Sequence, residues 1–315
     1  MKLNRIFWAL MVMALPLSFV ACSDKDDDGD DSTPYTFTEP TQKANAATYT
    51  VTGQNNNKTR RFIAGEGGDC VIEQYKSLPS QAKGLVTRPE GEEEGTIFIV
   101  GKYTTDGTTF TITVGGQVWG TITITNNGNN NYTIQVQEAG QEPEPVVEVA
   151  KEAEIEASDL TDKLCRSWKP LYTRLNFKKS TDESWIAKEL KGADFEEVKK
   201  AVEVEGCHIK DNFGDGYTVS SVFFTKAGTF CIAFTDPAIQ SYVGSWQWTD
   251  MSNGNLTYKW NDESMGCEYE DGTAHVDVYT TDVYKGECWL RLVSTIDNDG
   301  TKWDFQLVFR LVDNK

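Results

Sequence analysis

Apolar and polar residues alternate with a period of two over much of the chain. In the first half, Thr and β-branched residues alternate at 110–114, 120–124 and 132–136, and Gly- or Asn-rich turns separate these runs. Such alternation is typical of half-buried β-strands, and short turns between strands favour antiparallel neighbours. Residues 35–137 are therefore predicted to form a small β-sandwich or open barrel.

The second half of the chain shows the same period. From Trp303 to Leu311 every second residue is large and apolar, so one face of this predicted strand is expected to face a core. The predicted strands of this half lie at 217–225, 228–235, 243–249, 255–260, 273–280, 286–296 and 301–312.

Helical signals are sparse and short. Ser158–Thr161 offers N-cap chemistry for a short helix. A short helical insert is predicted at Glu183–Leu190 and again at Asp194–Val204, where apolar residues fall at helical spacing in the second piece. The predicted fold class is thus all-β: a small N-terminal β-sandwich or open barrel, then an antiparallel β-barrel over 158–315 with a short helical insert.

Residues 138–157 separate the two predicted units by a change of composition. Seven Glu and two Pro fall between Glu138 and Glu156. Because Pro fixes φ and like charges repel, this acidic segment is predicted to be an extended, semi-stiff linker.

The charge balance excludes some partners. The chain has 315 residues and a net charge of −18, from 30 Lys and Arg against 48 Asp and Glu. Sequence-independent binding of nucleic acid needs a surplus of cations, so no nucleic-acid partner is predicted. Electrostatic attraction to an anionic membrane surface is excluded for the same reason.

The N-terminus has the pattern of a secretion signal over Met1–Ala21. A basic start precedes an apolar run at Ile6–Val20, and these 15 residues are too short to span a bilayer. With Ala21 before Cys22, the segment resembles a bacterial lipoprotein signal, in which the Cys receives the lipid. An ordinary signal cleaved after Ala21 is the alternative.

An acidic run directly follows Cys22, with six Asp and one Lys in residues 23–34. Packed like charges resist burial, so residues 22–34 are predicted to be a lipid-anchored tether. The run resembles the acidic export signal of Bacteroidetes lipoproteins. That resemblance implies a protein anchored in the outer membrane and facing the cell exterior.

Residues Leu164 to Val312 resemble the lipocalin-like domains of Bacteroidetes lipoproteins. The resemblance rests on Leu164-Cys165-Arg166-Ser167-Trp168, on 224–230, and on Gly244–Trp248 before 256–258. The family's opening motif usually has Gly two residues before the Trp, where this chain has Arg166. The resemblance implies a lipocalin-like fold more than an activity.

An eight-stranded barrel of this kind is either filled by side chains or holds one small ligand. Trp rings stack on sugars and flat apolar molecules. Trp246, Trp248 and Trp260 are therefore the candidate ligand contacts, with the alternative that they are core residues.

Catalytic and metal-binding patterns are thin. The chain has two His, His208 and His275, which excludes a three-His zinc site. Cys207 and His208 are adjacent, so a strand would send their side chains to opposite faces. Beyond Cys22, six Cys allow one or two disulfides whose pairing is open. No catalytic residue, metal ligand or cofactor is predicted.

These signals favour a non-catalytic cell-surface lipoprotein that acts as a binding module. Its expected partners are the membrane, through the lipid at Cys22, and a glycan, a small apolar ligand or another surface protein. The first alternative is a structural accessory subunit of a surface complex with no small-molecule ligand. A second alternative is a hydrolase that uses a pair of carboxylates.

Overall fold

The computed structural model describes most of the chain outside the first 32 residues. The described ranges are 33–52, 57–75, 96–191, 200–201, 203, 219–234, 241–260, 271–298 and 300–314. They form two antiparallel β-barrels, which confirms the all-β prediction. Within these ranges, no helix has the length and apolar character needed to cross a bilayer.

The first barrel consists of eight strands in chain order. They are β1 (Ala47–Val51), β2 (Thr59–Ala64), β3 (Asp69–Tyr75), β4 (Thr96–Thr105), β5 (Thr109–Val114), β6 (Gln117–Asn126), β7 (Tyr132–Glu138) and β8 (Val147–Lys151). Each strand pairs with the next, and β8 pairs with β1. The predicted sandwich or open barrel is therefore a closed barrel.

The strand that closes this barrel lies inside the predicted linker. Val149 of β8 pairs with Val51 of β1, and its side chain is buried in the barrel core. Two Glu that the sequence assigned to the linker are also bound. Glu152 receives two hydrogen bonds of 2.9 Å from Arg61, and Glu138 pairs with Lys58 at 3.2 Å. The acidity of this segment is partly structural.

The second barrel follows a short helix, α1 (Asp159–Leu164), whose N-cap is Ser158 as predicted. Its strands are β9 (Ser167–Lys179), β10 (Ile186–Lys191), β11 (Val219–Phe224), β12 (Thr229–Phe234), β13 (Ser241–Asp250), β14 (Asn255–Trp260), β15 (Asp271–Val278), β16 (Glu287–Asn298) and β17 (Thr301–Asp313).

Eight of these strands close the second barrel, and β10 adds to one edge of β9. Closure comes from β9, which pairs with β17 from Trp168 to Lys179. The predicted helix at Glu183–Leu190 is wrong, because Ile186–Lys191 pairs with β9 as a strand. The predicted helix at Asp194–Val204 lies mostly outside the described residues.

Large apolar side chains fill the second barrel. All five alternating residues from Trp303 to Leu311 are buried, as predicted. Phe177 packs near Trp303 and Phe305, with ring centroids 6.2 and 6.1 Å apart.

The two barrels pack directly against each other along a seam. The seam is an apolar cluster of outward-facing residues from β2, β3, β11, β12 and β13. Its buried members are Ile63, Val71, Phe223, Cys231 and Val243. Polar contacts flank it: Arg61 of the first barrel donates to Thr229 Oγ1 of the second at 3.2 Å. The barrels therefore form one body rather than two units on an extended linker.

The N-terminal described segment, Thr33–Glu39, crosses one end of the second barrel before the chain enters the first. We call this segment the strap. The backbone N–H of Tyr35 donates to Thr280 O at 2.6 Å, and Arg166 donates to Thr38 O at 3.1 Å. The strap thus links the start of β9 to the turn between β15 and β16.

Candidate functional site

Two of the three candidate Trp lie at the end of the second barrel that α1 closes. Trp246 is 3% exposed, and its Nε1 donates to Thr225 O at 3.2 Å. Trp248 is half-buried and donates from Nε1 to Thr161 Oγ1 of α1 at 2.9 Å. The two rings meet edge to face at 5.2 Å. Both therefore support the helix that closes the barrel, and this placement does not favour a role in stacking on a ligand.

The remaining predicted site residues cannot be placed in detail. Trp260 ends β14, and its side chain lies outside the described part of the structure. Cys22 and the acidic run after it also lie outside the described residues. Their predicted roles, ligand contact and lipidation, stay predictions.

A small apolar cavity lies inside the second barrel. It has a volume of about 20 Å³. Its lining residues are Phe224, Phe230, Ile232, Leu256, Tyr258, Ala274, Leu290 and Leu292. Pockets for small-molecule ligands are on the order of 300–1,000 Å³. The part of the interior that these eight residues line is therefore filled, with room for about one water molecule.

The described cysteines have no catalytic geometry. Cys70, Cys165, Cys231 and Cys288 are buried free thiols, so no disulfide forms among them. Burial raises the pKa of all four, which keeps them protonated and poorly nucleophilic. Cys207 and Cys267 lie outside the described residues, as does His208.

His275 belongs to a polar group on the outer face of β14, β15 and β16. Its Nδ1 lies 3.0 Å from Asn255 Oδ1, and its Nε2 lies 2.9 Å from Asp277 Oδ1. Burial acts to raise the pKa of Asp277, but the hydrogen bond with His275 and the charge of Arg291 lower it overall. The partners of the two ring nitrogens of His275 are thus an amide and a carboxylate, and neither is a hydroxyl or thiol that could act as a nucleophile. Among the described residues, no three His, Cys, Asp or Glu form a group that could hold a metal ion.

Glu66 is a buried carboxylate where the barrels meet. It is 3% exposed, and its Oε1 accepts the backbone N–H of Lys226 at 3.1 Å. Its Oε2 is buried with no hydrogen-bond partner among the described residues. Burial raises the pKa of Glu66 from its ordinary 4.5 to about 7. Ionisation of this group therefore bears on how firmly the barrels dock.

Arg166 holds the strap to the second barrel. Its guanidinium donates to Lys163 O at 2.8 Å and pairs with Asp313 at 3.0 Å, in addition to its bond to Thr38 O. It also lies 4.6 Å from the ring centroid of Phe37 in the strap. Arg166, where the predicted resemblance expects Gly, is thus the residue that clasps the strap.

A second arginine is enclosed by aromatic rings on the outer face of β9, β16 and β17. The Arg310 guanidinium lies 4.2, 4.8 and 5.0 Å from the ring centroids of Tyr172, Tyr284 and Trp289. It makes two hydrogen bonds to Glu287, of 2.9 and 2.8 Å. Burial lowers the pKa of Arg310 and raises that of Glu287. This cluster packs Tyr284, in the turn between β15 and β16, against Trp289 and Arg310 of the barrel wall.

No protein-family model matches the chain, and no curated protein matches it.

Proposed function

We propose that this protein is a non-catalytic lipoprotein of a bacterial cell surface that is anchored at Cys22 and binds a partner on the outer surface of its two barrels. The partner is a glycan or another surface protein. The observation that carries the proposal is the packing of large apolar side chains in the described part of the second barrel's interior.

The filled interior argues against the small apolar ligand that the sequence left open. A cavity of about 20 Å³ is far below the volume that such a ligand needs. To enlarge it, bulky side chains such as Phe230 and Leu256 would have to leave their packed positions, at a cost in packing energy. Outer surfaces remain for recognition.

The lipid anchor and the outward location rest on the sequence. Supporting features are the short apolar run before Cys22 and the six Asp that follow it. The strap also supports an anchor, because its contacts fix the place where the chain from Cys22 joins the second barrel.

The chemistry of the described thiols and of His275 gives no support to an enzyme that uses them as nucleophile or base. The four described thiols are buried and protonated, and the ring nitrogens of His275 are engaged by Asn255 and Asp277. None of these groups combines an accessible nucleophile with a base that could activate it.

The seam favours a structural accessory subunit as the second candidate. Five fully buried apolar residues and the Arg61 contacts join the barrels into one body. Such a body suits a spacer in a surface complex as well as a binding module.

The test is to titrate the full protein with a fluorescent fatty acid and to probe it on a glycan array. We expect no saturable fatty-acid binding tighter than about 10 μM. Two variants locate any saturable binding: Ala274→Val fills the cavity, and Ala150→Val at an exposed position of β8 is the control. Binding that Ala274→Val abolishes and Ala150→Val preserves would place the ligand inside the barrel and refute the proposal. Glycan binding would favour the binding module over the accessory subunit.

A further inference from the structure

The strap reaches the second barrel at a distinct end, which we call the strap end. It consists of α1, the turns at 225–228, 251–254 and 279–286, and Asp313. Lys285 of the 279–286 turn donates to Thr33 O at 3.5 Å. The chain that leads back to Cys22 therefore leaves the described structure beside this turn.

The tether limits how far the strap end can lie from the anchor. Ten residues lie between Cys22 and Thr33, and the eleven residue steps from one to the other span at most about 40 Å even when fully extended. The strap end therefore lies within about 40 Å of the attachment point.

Five carboxylates at the strap end have cationic partners. Five ion pairs lie in this region, although the chain as a whole is strongly acidic. They are Glu39–Lys43, Asp159–Lys163, Asp162–Lys226, Asp313–Arg166 and Glu287–Arg310. This pairing lowers the electrostatic repulsion that an acidic protein meets at an anionic lipid surface.

The 279–286 turn presents an apolar residue on a rigid support. Val283 is 80% exposed at its tip, while Tyr279 and Tyr284 pack against Trp289 with ring centroids 5.2 and 4.7 Å away. Leu171, next to Tyr172 of the Arg310 cluster, is 43% exposed. Aromatic rings with exposed aliphatic side chains suit the headgroup region of a bilayer, where one side is apolar and the other is wet.

We propose that the strap end of the second barrel lies against the lipid surface, with Val283 and Tyr284 of the 279–286 turn at the level of the headgroups. This inference rests on the proposed lipid anchor. It fixes the orientation of the molecule, since the opposite end of the second barrel then faces away from the membrane.

Hydroxyl-radical footprinting of the lipidated full chain in phosphatidylethanolamine and phosphatidylglycerol vesicles tests this orientation. The comparison is the Cys22→Ala protein with the same vesicles. Val118 of β6 is the internal control, since it is also apolar and 60% exposed but lies at the far end of the first barrel. We expect labelling of Val283 to fall by about fivefold in the anchored protein while labelling of Val118 stays unchanged.

Vesicle flotation separates the two ways in which the inference can fail. If the wild-type protein does not float with the vesicles, the anchor is wrong and the orientation falls with it. If the protein floats but Val283 stays fully labelled, the anchor stands and the proposed orientation is wrong. Equal protection of Val283 in the wild-type and Cys22→Ala proteins would indicate a second copy of the chain on this surface and would also overturn the inference.

Discussion

Replacement of Glu66 by Gln tests the energetics of the junction between the barrels. Gln has nearly the same shape, and its carbonyl oxygen can still accept the backbone N–H of Lys226. The substitution removes the ability to ionise at a site where one carboxylate oxygen is buried without a described partner. The variant therefore isolates the cost of a buried charge.

The magnitude follows from the difference between the folded and unfolded pKa of Glu66. Burial, opposed by the hydrogen bond from Lys226, raises the folded pKa to about 7, against 4.5 for an exposed Glu. Because the folded pKa is the higher one, the stabilisation is complete below pH 4.5 and is lost as pH rises towards 7. With about 1.4 kcal/mol per pKa unit, wild type should lose about 3 kcal/mol relative to Glu66→Gln across this window.

The assay is urea unfolding of the full chain at pH values from 4.5 to 8. We expect the free energies of unfolding of the variant and wild type to differ least at pH 4.5. At pH 8 the free energy of unfolding of the variant should have risen by about 3 kcal/mol relative to that of wild type. Glu148→Gln on exposed β8 is the control for loss of a negative charge. If the difference between Glu66→Gln and wild type does not change with pH, or changes as in the control, the assigned burial of this carboxylate is wrong.

Three further substitutions test the clasp, the seam and the core. Arg166→Ala removes one partner of a buried ion pair and should lower the free energy of unfolding by about 3–5 kcal/mol. Proteolysis within the strap should become faster, and unchanged proteolysis would contradict the clasp. Gly67→Ala would bring its Cβ within 2.8 Å of Ser167 Cβ, so thermal unfolding should show that the protein loses about 1–3 kcal/mol of stability. Unchanged stability would contradict close packing of the barrels. Phe230→Ala should cost about 3–5 kcal/mol in urea unfolding, whereas a loss below about 1 kcal/mol would mean a loosely filled second barrel.

Alternation along the chain predicted the strands well where one face is buried and the other meets water. The strand from Trp303 to Leu311 is an example, since its alternating residues form the core of the second barrel. The helix predicted at Glu183–Leu190 was wrong because local sequence does not decide the structure there: Ile186–Lys191 is a strand through its pairing with β9.

The closing strand β8 was missed because its pattern is short and sits among Glu residues. Two Val at alternating positions, Val147 and Val149, carry the inward face. The Glu residues read as a charge run although Glu152 pairs with Arg61. Composition over twenty residues therefore concealed a five-residue strand.

The seam had a signal in the sequence that alternation alone does not use. Continuous apolar runs occur at Phe62–Ala64, Cys70–Ile72, Val222–Phe224 and Cys231–Ala233, and each is buried. A strand that is apolar on both faces must be covered on both faces. Such runs in both halves indicate that the two units share an interface. The geometry at Glu66 and Arg166 could not be predicted, because it depends on contacts between residues distant in the chain.

The most direct test of the proposed function is the membrane attachment of the Cys22→Ala protein in cells. Fractionation should find wild type with the outer membrane, and mass spectrometry should find acyl chains on its Cys22. The account predicts that Cys22→Ala moves to the soluble fraction. If the variant stays with the membrane as wild type does, the protein is not held there by a lipid at Cys22.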